Sequence, residues 1–473
     1  MPDSELLRAW SRFVADPGSP FTIPGHKHRA GAIWPELGEV DAGDVPMFGG
    51  LAPVKSAVSV VAAAEARTAE RWGADWCRYS TGGSTHANQV LALAVGPPGD
   101  EVLVARNAHR SVLSGLILAG LTPRWIAPSI GADGLVEGIS AAALAEAIAA
   151  WPRATALFLV EPSYVGTLSD RSSLIAAAHE AGLAVVVDQA WGAHLGFHPS
   201  LPSHALALGA DAIVMSAHKT LPAYSQASIV LARTERLDRG RLERAFDLSF
   251  TTSPAGSILA STDGAVALLD SPLGEELLGA AIVAVARARD RLRAAGLVVP
   301  GPDTHAIDPT KLVIQIPHGG GLALEQTLIA AGLAPELADE HLIVPSVTML
   351  DRPEDVDRLV CLLVAETQGR AARGPRGRAP RSGLLLADTP APAQVMTPRE
   401  AFFAAATTVT AEEAVGRVSA ELIAPYPPGV PVLVPGEEIT VETIELLRGA
   451  AADGVRIAYA ADPTLASFQV VGS

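Results

Sequence analysis

Cysteine is nearly absent from this chain of 473 residues: Cys77 and Cys361 are too few and too far apart for a disulfide framework or a zinc site. Basic charge is also in short supply, because 35 Lys and Arg stand against 51 Asp and Glu, leaving a formal charge of −16. Binding to phosphate backbones needs the opposite balance, which argues against nucleic acid as the main partner. The balance is compatible with a cationic small molecule, although a solvated acidic surface is its usual explanation. Apolar residues make up 49% of the chain, yet no run of them reaches the length that crosses a bilayer, so no membrane partner is expected. The opening residues MPDSELLRAWSRF include acidic side chains and lack the apolar stretch of a signal peptide. The expectation is a cytoplasmic protein, long enough for two or three domains and a large buried core.

What the chain does have is a regular alternation. Over residues 101–216, short apolar runs alternate with Ala-rich helical stretches: EVLVARN, SVLSGLILAG, TALFLVEP, SLIAAAHEAG, LAVVVD and IVMS. Continuous apolar strands separated by helical patterns predict an α/β fold with a mostly parallel sheet buried on both faces. Ligands of such sheets lie beyond the carboxyl ends of the strands, which is where Asn107, Glu161, Asp188 and Ser216 fall. KLVIQIPHGGG followed by LALEQTLIAAG predicts a strand and helix of a smaller unit. Arginines interleaved with Gly and Pro then predict an exposed linker, since that composition can bury little. Past the linker, Thr397 and Glu400 form a candidate capping box with Pro398 at the first helical position. The resulting division is an N-terminal segment 1–60, a major domain 61–298, a small α/β domain 299–366, a linker 367–394 and a C-terminal domain 395–473.

The stretch DAIVMSAHKTLPAYSQ carries Lys219 at the end of an apolar strand and into a loop containing Pro222. Lysine is costly to place at the mouth of a core strand unless it does chemistry. Upstream, LAVVVDQAWGAH closes another apolar run with Asp188. A lysine that holds a cofactor as a Schiff base, and a carboxylate that keeps a pyridine nitrogen protonated, are what a pyridoxal phosphate enzyme needs. STGGSTHANQ supplies a glycine pair, then Ser84 and Thr85 at a helix start, which is an unspecific phosphate signal until Lys219 and Asp188 join it. Ser216 and His218 either reach the same phosphate or hydrogen-bond within their own loop. His109, just past a strand end, either stacks on the cofactor ring or caps a helix at the surface. Ala190 is small enough to approach the other ring face, and Trp191 either walls the pocket against water or simply packs. No G-x-G-x-x-G opens a helix after a first strand, so a Rossmann dehydrogenase is excluded.

Several motifs in one order resemble the short-form ornithine/lysine/arginine decarboxylase family, pyridoxal phosphate enzymes of fold type I. They are FTIPGHKHRAG, GGSTHANQ, ARNAHRS, VDQAWGAHLGFHP, SAHKTLPAYSQAS, TTSP at 251–254 and EAVGRVSAELIAPYPPGVPVLVPGE. The resemblance implies a central, mostly parallel sheet with smaller C-terminal α/β units. It implies decarboxylation of a basic amino acid, arginine or lysine ahead of ornithine, in polyamine biosynthesis. Transamination, aldol-type cleavage or a silent regulatory homologue are the alternatives. It also makes Lys219 the Schiff-base lysine, Asp188 the partner of the pyridine nitrogen and His109 the stacking imidazole. Ser84, Thr85, Ser216 and His218 become phosphate ligands, and Thr252 contributes across the interface of a homodimer or higher homo-oligomer. His218 and Lys219 are the candidates for the proton donor. Two departures stand out: Gln189 replaces the family's usual Glu, and Ala52 stands where an acidic residue is common. Carboxylates left to hold a cationic side chain are Asp44, Glu336, Asp339 and Glu421.

Overall fold

Runs of five mostly apolar residues build the central sheet of this computed structural model, which describes residues 4–15, 26–27, 43–44, 60–316, 319–371, 392–426, 430–452 and 454–472. The strands are β1 (Trp76–Ser80), β2 (Glu101–Ala105), β3 (Thr122–Ile126), β4 (Ala156–Val160), β5 (Ala184–Asp188), β6 (Ala212–Ser216) and β7 (Ser228–Ala232). Their order is β1-β7-β6-β5-β4-β2-β3. Every residue of β5, β6 and β7 is buried, as strands covered on both faces must be. β2 pairs in parallel with β3 and β4, and β5 with β6. The sheet is not wholly parallel, because β7 runs antiparallel to both β6 and β1. Length explains the exception: only residues 221–227 separate the lysine-bearing segment from β7, and a parallel return needs a crossover of a dozen residues or more.

Contacts divide the chain into two compact units, residues 1–94 with 186–278, and 95–185 with 279–473. The first contains α1 (Glu5–Ala15), α2 (Val60–Trp72), α3 (Gly83–Val95, but for its last residue), α7 (Ala217–Thr220), α8 (Arg239–Ser249) and α9 (Gly256–Leu269). Its core includes Trp72, Trp76, Tyr79 and Phe246, each at most 2% exposed. The second contains α4 (Arg110–Ala119), α5 (Ala141–Ala150), α6 (Arg171–Glu180), most of α10 (Pro272–Ala294), α11 (Gly321–Ala330) and α12 (Pro353–Ala371). In this unit α10, α11 and α12 close over a small three-stranded sheet through a cluster that includes Val285, Leu292, Ile314, Leu328, Ile343 and Val360. A separate cluster around Ile423, Leu433, Leu447 and Phe468 forms the core of its C-terminal region.

The expected strand and helix after residue 311 are present as Ile314–Gln315 and α11. Thr397 and Glu400 form the capping box, with Pro398 opening the helix Pro398–Phe403. The expected linker is helical at its start, where α12 runs to Ala371. Residues 372–391, Ala52 and all of the Pro-Gly-His-Lys segment except His26 and Lys27 lie outside the described residues. Among the described residues no helix is long and apolar enough to cross a membrane, and no cluster of side chains suits a metal ion.

Candidate active site

Asp188 is the last residue of β5 and is 4% exposed. Its two oxygens are held separately: the Asn88 side-chain amide donates to one at 2.8 Å and the Ala190 backbone amide to the other at 3.0 Å. Sequence reasoning missed Asn88, although it lies four positions after Ser84 in α3, on the same helix face. Ala190, expected as a small residue beside a ring, thus also orients the carboxylate through its N–H.

Lys219 does not sit in a loop. Residues 217–220 form the single helical turn α7, directly after β6, closed by the Leu221 amide donating to the Ala217 carbonyl. The Lys219 ammonium lies 4.4 Å from the centroid of the Trp191 indole, so the tryptophan that could have been mere packing touches the lysine's amine. His218, half-buried, donates from Nδ1 to the Ala227 carbonyl at 2.9 Å, which leaves Nε2 as the nitrogen that can exchange a proton.

The hydroxyl groups of Ser84 and Ser216 meet at 2.6 Å, joining the start of α3 to the end of β6. The Gly83 amide donates to the Gln226 carbonyl at 2.9 Å, so the same junction is also held through backbone. Thr85, exposed, stands in the first turn of α3, where backbone N–H groups have no partner within the helix. Glycine is required at position 82, because a Cβ there would fall 2.8 Å from that of His86. His86 props the turn from below: its Nδ1 meets the Ser80 hydroxyl at 2.7 Å and its ring stacks on Phe250. Burial holds that imidazole below its usual range, so it is a neutral support.

Gln189 is fully buried and committed to packing. Its amide donates to the Gly192 carbonyl at 2.7 Å and accepts from the Ala205 amide at 2.9 Å. A carboxylate here would set oxygen against oxygen at Gly192, so in this packing the amide is the fitting group. Thr252 lies in an exposed stretch, within a turn where the Ser253 amide donates to the Thr251 hydroxyl at 3.2 Å. His109 belongs to the other unit, where it is exposed and caps α4: its Nδ1 accepts from the Ser111 amide at 3.3 Å. Capping, one of the two readings open from sequence, is therefore a fact of the fold.

The four acidic candidates separate. Glu421 accepts from the backbone amides of Ala461 and Gln469, both at 2.7 Å, and Asp339, 4% exposed, accepts from that of His341 at 2.6 Å. Burial raises both above the usual carboxylate range. Glu336 is exposed and accepts from the Tyr164 hydroxyl at 3.1 Å, and Asp44 pairs with His26 at 3.0 Å.

Asp188 at the end of β5 and Lys219 in the turn after the neighbouring, parallel β6 belong to a mixed, mostly parallel sheet, the α/β architecture of fold type I, the pyridoxal phosphate-dependent class. Residues 50–300 match the description Orn/Lys/Arg decarboxylase, major domain, and residues 385–452 match Orn/Lys/Arg decarboxylase, C-terminal domain. The arginine decarboxylase of Halalkalibacterium halodurans is 31% identical over 466 residues, with 95% of this chain and 94% of that protein covered. The arginine decarboxylase of Bacillus subtilis is 32% identical over 470 residues, with the same coverage of 95% and 94%. The crystal structure of the Francisella novicida lysine decarboxylase LdcF superposes with a TM-score of 0.84 at 20% identity, over 99% of this chain and 81% of that one. The chain belongs to the Orn/Lys/Arg decarboxylase family, and it is an amino-acid decarboxylase.

Proposed function

We propose that the protein removes the α-carboxylate of arginine as carbon dioxide, with lysine next and ornithine last, using pyridoxal 5'-phosphate. The residues present fit that group. Amides of the first turn of α3 and the Ser84–Ser216 hydroxyl pair suit a phosphate, Lys219 offers an amine, and Asp188 offers a carboxylate for a ring nitrogen. When bound, the cofactor supplies a protonated pyridine ring that accepts the charge left on Cα as carbon dioxide departs. The observation that carries the reading is Asp188, buried and pinned at both oxygens so that it faces one direction without reorganising.

Each side chain then has a task. Lys219 would hold the cofactor through its side-chain amine. Trp191 keeps water from that amine. Ser84, Thr85, Ser216 and His218 would hold the phosphate, and His109 would stack on the ring. His218, oriented by the Ala227 carbonyl, or Lys219 returns a proton to Cα. A guanidinium or ammonium needs a carboxylate with oxygen to spare: Glu336, Asp44 and Asp339 have it, the Asp339 Oδ2 having no hydrogen-bond partner among the described residues, whereas both oxygens of Glu421 hold backbone amides. The arginine decarboxylases among the relatives favour arginine. Thr252, exposed on one protomer, is read as a phosphate contact in the site of a second copy. The cytoplasm and polyamine biosynthesis complete the reading.

Purified protein incubated with arginine, lysine and ornithine, with and without pyridoxal phosphate, should release agmatine fastest and only with cofactor. Citrulline and norleucine, which lack the positive charge, should turn over far more slowly. Faster release of amine from a neutral amino acid would overturn the substrate assignment.

A further inference from the structure

Arg106 follows β2 directly and is 6% exposed, yet its guanidinium has a full set of acceptors, all from the C-terminal region. It makes a two-pronged bond with the Glu437 carboxylate, 2.9 Å from Nη2 to Oε2, and also donates to the carbonyls of Pro431 at 3.0 Å and Val432 at 3.1 Å. Glu437 is fully buried and additionally accepts from the Val434 amide at 2.8 Å. The far end of α4 is held by the same region: Arg399 donates to the carbonyls of Ile117 and Leu118, at 2.7 and 2.8 Å. Val434 packs against Leu113 and Ile117 on that helix.

Between Arg106 and His109 stands Asn107. Its side-chain oxygen and nitrogen are both shielded from solvent, and neither has a hydrogen-bond partner among the described residues. An amide left in that state is costly unless a ligand supplies what is missing. Segment 106–109 at the carboxyl end of β2 is thus a ligand-facing piece of chain whose two flanks are gripped by a distant part of the same unit.

We propose that the Arg106–Glu437 pair is a positioning device, through which the C-terminal region fixes the orientation of the segment that carries Asn107 and His109. This rests on the reading of His109 as a cofactor contact. A buried ion pair is a poor source of stability, because desolvating two charges consumes most of their attraction. What a planar guanidinium against a carboxylate does provide is a single geometry, and a lysine would not reproduce it.

The test compares Glu437→Gln, which keeps shape, and Arg106→Lys, which keeps charge, with His109→Ala and with Leu447→Ala, a cavity in the C-terminal core. Four quantities are read: unfolding temperature of the cofactor-free protein, pyridoxal phosphate affinity by equilibrium dialysis, visible circular dichroism of bound cofactor, and kcat with KM. Glu437→Gln and Arg106→Lys should alter the visible dichroism in the same sense as His109→Ala and lower kcat by about 10²-fold, with KM changed less. Leu447→Ala should lower the unfolding temperature and leave the dichroism and kcat alone. Should one of the two pair variants fold yet behave like Leu447→Ala while His109→Ala alters the dichroism, the device is refuted and the reading of His109 survives. Unaltered dichroism and cofactor affinity in His109→Ala would overturn both.

Discussion

Asp188 receives one hydrogen bond from a side-chain amide and one from the backbone, so its direction depends on residues from α3 and from its own turn. If Asp188 is the charge that keeps the ring nitrogen protonated, turnover in Asp188→Asn should fall by at least about 10²-fold while cofactor still attaches. Asn88→Ala leaves the carboxylate with one donor. Losing a hydrogen bond to a charged group is worth about 1.5 kcal/mol, so kcat should drop about tenfold in steady-state assays. Lys219→Ala should fold normally and lose the visible absorption of bound cofactor; an unchanged spectrum would falsify its assignment. The positions of Asp188 and Lys219 were legible in the sequence because one ends an apolar run and the other follows one within three residues. Asn88 was not, since its value lies in a strand that only the fold brings beside it.

Packing of α2 against β1 buries a group that titrates near neutrality. Glu65 accepts from the Tyr79 amide at 2.9 Å, with Arg78 at 3.4 Å, but Arg78 sits closer to Glu243 on α8, at 2.6 Å. Desolvation therefore dominates, and the Glu65 carboxyl is pushed up to about 7 from 4.5. In the unfolded chain it ionises at the lower value, so the folded state binds the extra proton between the two. Stability should consequently fall as pH rises from about 4.5 through 7, by up to about 3 kcal/mol. Urea unfolding at pH 5 and at pH 8 checks this: the loss should shrink in Glu65→Gln, which cannot ionise. The antiparallel β7 is another element-scale result, and the short 221–227 connection held the clue to its direction, whereas the helical turn under Lys219 had no signal in a segment containing Pro222.

Composite sites in an oligomer make a prediction about the whole molecule. If Thr252 serves a second copy, Lys219→Ala mixed with Thr252→Ala should regain activity in hybrid dimers, about a quarter of the native sites being intact in a random half-and-half mixture of two-site dimers. No recovery, with each variant shown to be inactive alone and dimeric, would leave Thr252 to its own protomer. The sequence by itself determined the strand ends that carry Asp188 and Lys219, the glycine-led start of α3 and the capping box at Thr397, because each depends on neighbours a few residues away. Only the tertiary structure decided that Asn88 holds Asp188 across 100 residues, that Arg106 meets Glu437 across 331, and that Gln189 is spent on packing. Partners of that kind are chosen by strand order and by which surfaces are left to cover one another, and no local pattern of hydrophobicity or charge encodes either.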